Sequence, residues 1–190
     1  GRLYAQELKG DNAVYVDSGS SVVKDNIPPF VITNETFYNF FGEDNYLGNH
    51  IPEGATLDFQ CLCLGNISDY SVYINKPVNV ISSTRDAVFQ YVDPTGDDNH
   101  KDKCIKFNVV AGADGTNVSD IAIINGDLFV IGASNVTIDN VYMKANMSAI
   151  GQSTGFIAIH TGAYYTTVKN SYFENGGKHR SKGRIYRNFR

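Results

Sequence analysis

Apolar and polar positions follow a short pattern that recurs. In Asn135-Val136-Thr137-Ile138-Asp139-Asn140-Val141-Tyr142-Met143, Val136 and Ile138 share one face of an extended segment, because strand side chains alternate with period two. Asn140 then bends the chain, since Asn and Asp tolerate left-handed geometry and bond nearby backbone. Beyond the bend, Val141 and Met143 face inward again and Tyr142 faces out. The same pattern runs from Thr116 to Ile123 and from Thr166 to Phe173, aligning Val118, Ile138 and Val168, then Asp120, Asn140 and Asn170, then Ile123, Met143 and Phe173. A self-similar unit of this length is the mark of a stacked repeat, since one unit cannot bury its own apolar face and neighbours must do so. The pattern predicts an all-β chain built as a parallel β-helix (solenoid), with two or three short strands per coil and elastic loops such as Lys144 to Gly155. An antiparallel β-sandwich with coincidental repeats is the alternative.

Upstream the pattern is looser. Ala13-Val14-Tyr15-Val16 reads as a strand inside a poorly periodic opening. Thr33 to Phe41 reads as the chain's one helix, capped by Thr33 or Asn34, with Phe37, Phe40 and Phe41 on one face at i, i+3 and i+4. Ahead of a solenoid, such a helix would cover the apolar end of the first coil. Strands are expected at Ala55–Phe59, Ser71–Ile74, Val78–Ile81, Ala87–Phe89, Cys104–Val110 and Phe156–Ile159. The expected organisation is an N-terminal segment with a short helical cap at 1–52, the β-helix at 53–177, and a basic tail at 178–190 that is truncated or non-native.

Composition narrows this further. The chain has 190 residues, 42% hydrophobic and 19% charged, which suits one domain with a real core. Six of the 16 basic residues lie in 178–190 and none of the 20 acidic ones does, so the body is acidic and repels nucleic acid phosphates. No uninterrupted apolar run is long enough for a transmembrane helix, and no membrane insertion is expected of this segment. Gly1-Arg2-Leu3-Tyr4 lacks a signal-peptide pattern, which leaves the compartment open. Cys61 and Cys63 sit two apart on one strand face; either could meet Cys104, and packing is the simplest role for all three.

Further strings carry a family resemblance. Phe30-Val31-Ile32-Thr33-Asn34, Ile51 to Phe59 (IPEGATLDF), Ile74 to Ser83 (INKPVNVISS) and Asp86-Ala87-Val88-Phe89 resemble adhesin-like surface proteins of methanogenic archaea. Gly132 to Asn140 and Val168 to Phe173 fit the same family, so the resemblance spans about residues 27–177. It implies a right-handed parallel β-helix, export to the cell surface and a role in attachment to glycans or partner cells. Family members continue for many more coils, which implies a fragment here.

The candidate chemistry is sparse. Tyr142 and Tyr172 occupy equivalent outward positions one coil apart, with Tyr164 and Tyr165 in the loop between. Such a stripe suits sugar faces, because an aromatic ring offers a flat apolar body and a polar tip; cross-strand stacking that stabilises the sheet is the other reading. Asp120, Asn140 and Asn170 form a turn ladder whose role is structural, and Asp120 should weaken the run of amide bonds. A carbohydrate-active β-helix enzyme (polysaccharide lyase or hydrolase) would need facing carboxylates on neighbouring coils. The outward acids are Asp120 and Asp139, and Asx turns already account for both. His50, His100, His160 and His179 lie in turns, after a strand or in the tail, with no Ser-His-Asp arrangement. The Asp93 to Asp102 loop lacks the spacing of an ordered calcium loop, and neither a cofactor nor a metal is expected. Asn-x-Ser/Thr sequons at Asn34, Asn66, Asn117, Asn135 and Asn146 fit an exported, extracellular glycoprotein. The sequence thus points to a non-catalytic surface adhesin-like module, with the enzyme and a purely structural spacer as alternatives.

Overall fold

Parallel pairing dominates the chain. A computed structural model describes residues 3–7, 13–17, 27–60, 71–90, 105–124, 126–145 and 157–175. Cys61, Cys63, Cys104, the Asp93 to Asp102 loop and the tail at 178–190 lie outside the described residues. At the N-terminus β1 (Leu3–Glu7) and β2 (Ala13–Asp17) pair antiparallel. From residue 30 onward every strand ladder among the described residues is parallel, the isolated Phe41–Leu47 bridge alone being antiparallel, which argues against the antiparallel sandwich.

Among the described residues these ladders form three parallel sheets. The first holds β3 (Phe30–Ile32), β4 (Thr56–Phe59), β6 (Asn79–Ile81), β9 (Asn117–Ser119), β12 (Thr137–Asp139) and β15 (Thr167–Lys169), hydrogen-bonded in that order. The second holds β7 (Val88–Gln90), β10 (Ala122–Ile124), β13 (Tyr142–Ala145) and β16 (Tyr172–Asn175). The third holds β5 (Ser71–Ile74), β8 (Ile105–Val110), β11 (Gly126–Ile131) and β14 (Ile157–Ile159). From β5 on, the chain visits the third, first and second sheets in the same order four times, and each visit adds a strand beside the previous one. The expected columns are real neighbours: Ile138 pairs with Val118 and Val168, and Met143 pairs with Ile123 and Phe173. The third sheet's β11 has no counterpart among the strands expected from sequence.

Alternation in each strand sends one set of side chains to a common core. Phe30, Leu57, Val80, Val118 and Ile138 of the first sheet, Phe89, Ile123 and Met143 of the second, and Val72, Phe107, Leu128 and Val130 of the third are all fully buried. Aromatic rings tie the sheets together: Phe41 meets Phe59, Phe59 meets Phe89 edge-on at 5.1 Å, and Phe89 meets Phe107 at 5.1 Å. Because these three last rings come from the first, second and third sheets, the inner faces converge on one core rather than three. The last pass is different. Val168 is 38% exposed, and Ile157, Ile159 and Phe173 are only partly buried, because no strand lies beyond theirs among the described residues.

The helix is shorter than its sequence suggests. α1 (Phe37–Phe40) is a single turn, with Thr36 at its N-cap and no side-chain cap bond. Thr36 Oγ1 instead accepts from the Thr33 backbone N–H at 2.8 Å, a local bond that competes with capping. Phe41 is already extended and bridges Leu47. One turn fixes several dihedrals for few hydrogen bonds, so it persists through packing, not propensity. That packing is as expected: Phe37, Phe40 and Phe41 are buried, Phe37 stacks on Phe41 at 4.5 Å, and Phe40 meets Phe30 edge-on. The first sheet also starts earlier than the expected boundary at 53, since β3 pairs with β4. Lys76 fastens the segment after α1, donating from Nζ to the carbonyls of Gly48 (2.9 Å) and Ile51 (2.8 Å), and burial lowers its pKa.

Candidate functional site

The second sheet's outer face gathers the most chemistry. Asn140 and Asn170 both adopt left-handed φ of 51°, so each turns the chain at the same point of its pass. Val141 and Met143 then go into the core, and Tyr142 and Lys144 go outward. The register Tyr142↔Tyr172 and Lys144↔Glu174 repeats this one strand on. The two tyrosine rings stack with centroids 5.8 Å apart and planes 6° from parallel. Tyr142 Oη donates to Glu174 Oε2 at 2.5 Å, and Lys144 Nζ lies 3.7 Å from Glu174 Oε1. The hydrogen bond to that carboxylate raises the Tyr142 pKa, so the phenol remains a donor. Val88, Gln90, Ala122 and Ile124 continue this face over β7 and β10, all half-buried.

Tyr164 and Tyr165 do not join that block. They lie on the connection from β14 to β15, so β15 and the Asn170 bend separate them from Tyr172. Both are exposed, at 64% and 77%. Tyr165 holds a left-handed φ of 58°, which is costly for a bulky side chain.

The three turn residues Asp120, Asn140 and Asn170 are bonded as two separate pairs rather than in one column. Asn140 Nδ2 donates to Asp120 Oδ1 at 2.7 Å, whereas Asn170 Nδ2 donates to Asp139 Oδ1 at 2.8 Å, one position off the expected column. Asp120 supplies the carboxylate oxygen that accepts from the Asn140 amide. Ser171 supplies another tie, accepting from the Val141 N–H at 3.1 Å. Asp139 also faces Lys169 Nζ at 3.4 Å. The Asn170 amide first, and Lys169 after it, hold the Asp139 carboxyl below the usual carboxylate range.

Other groupings carried no readable signal. Tyr46 stacks on Tyr73 at 4.3 Å, because an irregular segment before β4 bridges β5 in parallel. Along the same outer row of the third sheet come buried Asn108 and then Phe129, whose ring meets His160 at 5.4 Å. His50 Nε2 lies 2.9 Å from the Asn39 carbonyl, which accepts from it. A depression of about 530 Å³ beside α1 is lined by Tyr38, Phe41, Gly42 and Glu43. Among the described residues no group of three or more His, Cys, Asp or Glu is placed to hold a metal ion, and no helix is long and apolar enough to cross a membrane. Comparison with family models, curated proteins and solved structures finds no match for this chain.

Proposed function

We propose that the chain winds as a right-handed parallel β-helix and serves as a non-catalytic, adhesin-like module of a cell surface that binds glycans. The winding is supported by the fourfold visit to three parallel sheets in one order, with inner faces meeting in one core. Its hand follows from the right-handed rule for parallel crossovers and from the family resemblance. That resemblance to adhesin-like proteins of methanogenic archaea also supports the surface setting and the attachment role.

The observation that carries the binding reading is the Tyr142–Tyr172 stack with Glu174 and Lys144 beside it. Sugar recognition needs a flat apolar surface for C–H groups and fixed polar groups for hydroxyls, and this block holds both within two strands. The test is a glycan array run beside a polysaccharide cleavage assay, comparing the chain with a Tyr142→Ala/Tyr172→Ala variant. Retention that the double variant loses, with no products released, is the expected result. Release of oligosaccharides without retention would replace the adhesin reading with the enzyme one.

A further inference from the structure

We infer that Asn34 is a site of N-linked glycosylation, accepting the oligosaccharide of a polyprenyl-pyrophosphate donor, and that Asn117 and Asn135 are structural in spite of their sequons. The inference rests on the surface setting proposed above and not on glycan retention, since only an exported chain meets such a donor. Of the five Asn-x-Ser/Thr sequons, those of Asn34, Asn117 and Asn135 fall on described residues, and the fold treats them differently. Asn34, Glu35 and Thr36 form the turn that joins β3 to α1, and none of them belongs to a strand ladder. Asn34 and Glu35 are exposed, and Thr36 is half-buried. Thr36 holds the N-cap position, so the Asn34 amide is released from the capping task that its residue type suits. That amide has no hydrogen-bond partner among the described residues. The Thr36 hydroxyl stays at the bend, accepting from the Thr33 backbone N–H at 2.8 Å and reaching the Val31 carbonyl at 3.3 Å. A transferase reads the Asn amide together with the hydroxyl two residues on, and this turn offers both with no strand to peel away.

Asn117 has the opposite setting. It opens β9 between Asn79 of β6 and Thr137 of β12, and its Nδ2 donates to Asn79 Oδ1 at 2.9 Å. The hydroxyl of its sequon is engaged as well, Ser119 Oγ donating to the Val80 carbonyl at 3.4 Å. Asn135 is intermediate. Its side chain is exposed on the corner before β12, but its backbone N–H is bonded to the Tyr164 carbonyl at 2.9 Å, Val136 is fully buried, and Thr137 lies in the ladder between Asn117 and Thr167. Surrounding either sequon means opening a strand that is paired on both sides.

The transfer needs no oxidant or reductant. Asn34 Nδ2 forms a bond to the anomeric carbon of the donor sugar, the bond from that carbon to the pyrophosphate oxygen breaks, polyprenyl pyrophosphate leaves, and one amide proton goes to solvent. Asn34 follows β3 at one end of the first sheet, whereas Tyr142 and Tyr172 follow β12 and β15 at the other, so the attached sugar leaves the tyrosine stack uncovered.

The test uses the folded full chain and a single-subunit oligosaccharyltransferase selected because it modifies short peptides of these three sequons at similar rates. Occupancy of each site is followed by peptide mass spectrometry. Asn34 should be modified at least about tenfold faster than Asn117 or Asn135, because opening a paired strand adds a barrier that the turn lacks. Equal rates at the three sites, or an Asn34 left unmodified in the folded chain, would overturn the assignment. Retention on glycans is measured on the same chain before and after modification and should not change. Retention absent in both, with Asn34 modified as expected, would remove the attachment reading and leave this site standing.

Discussion

Asn140 carries two tasks at one residue, and they can be separated. Its left-handed φ is better tolerated by Asn than by Ala, and its amide reaches the Asp120 carboxylate. Asn140→Ala loses both and should cost about 2 kcal/mol, whereas Asn140→Gly loses the hydrogen bond alone and should cost about 1 kcal/mol. Chemical denaturation reads the difference, and glycan retention should stay unchanged in both; two variants as stable as the parent would leave the ladder without a stabilising role. Tyr165 is the converse case. The column it occupies follows Gly115 and Asn135, both also at positive φ, so Tyr165→Asn should raise stability by about 0.5–1 kcal/mol. A loss of stability there would mean the exposed ring packs more than its 77% exposure suggests. Asp139 sets a pH dependence. Its folded pKa is depressed by the Asn170 amide and Lys169, so its contribution is present above the unfolded carboxylate value near 3.9 and is lost as pH falls through the lower folded value. Denaturation midpoints followed from pH 5 downward should therefore fall more steeply in the parent than in Asp139→Asn.

Between elements, tight spacing and burial decide which substitutions matter. A Cβ at Gly126 would stand 2.3 Å from Ile105 Cγ2 and 2.5 Å from the Ile105 carbonyl, because β11 lies directly against β8. Gly126→Ala should accordingly cost about 1–3 kcal/mol through overpacking. At the corner between the third and first sheets, Gly112, Gly132 and Gly162 all have positive φ, each followed by a buried Ala. Core truncation grades with position along one column. Ile138→Ala, fully buried between Val118 and Val168, should cost about 3 kcal/mol, and Val168→Ala less than about 1 kcal/mol. Urea midpoints of the two variants check this, and equal losses would mean that the last pass is covered as completely as the one before it.

For the molecule as a whole, the proposed winding makes stability close to a sum of units and their neighbour interfaces. Among the described residues the interior strands β9 to β12 have partners on both sides, while β14, β15 and β16 each have one. Backbone hydrogen exchange should be slowest in the former and fastest in the latter, with α1 and its phenylalanines protecting the opposite end. Uniform protection from β4 to β16 would show that the whole structure opens as one unit.

The repeated strand–Asn–strand pattern alone carried the parallel register, the inward and outward residues of β12 and β13, and the pairing of Tyr142 with Tyr172. It could do so because alternation and the left-handed bend are local properties, and a repeat copies them at fixed spacing. The Gly112-Ala113, Gly132-Ala133 and Gly162-Ala163 steps keep the same spacing and extend the unit backward, a signal that the strand–Asn–strand pattern did not use. Other features depended on the folded chain. α1 shrank to one turn because Phe41 is drawn into an extended bridge with Leu47. Asn170 donates to Asp139 and not to Asn140, and the ionised carboxylate is the stronger acceptor of the two residue types. β11 was legible as well, since Leu128-Phe129-Val130-Ile131 is a short apolar run of strand formers, and the facing of Lys144 by Glu174 follows from the register of Tyr142 with Tyr172. The Tyr46–Tyr73 stack was not, because it joins an irregular segment to a strand 27 residues on and exists only once the two lie side by side.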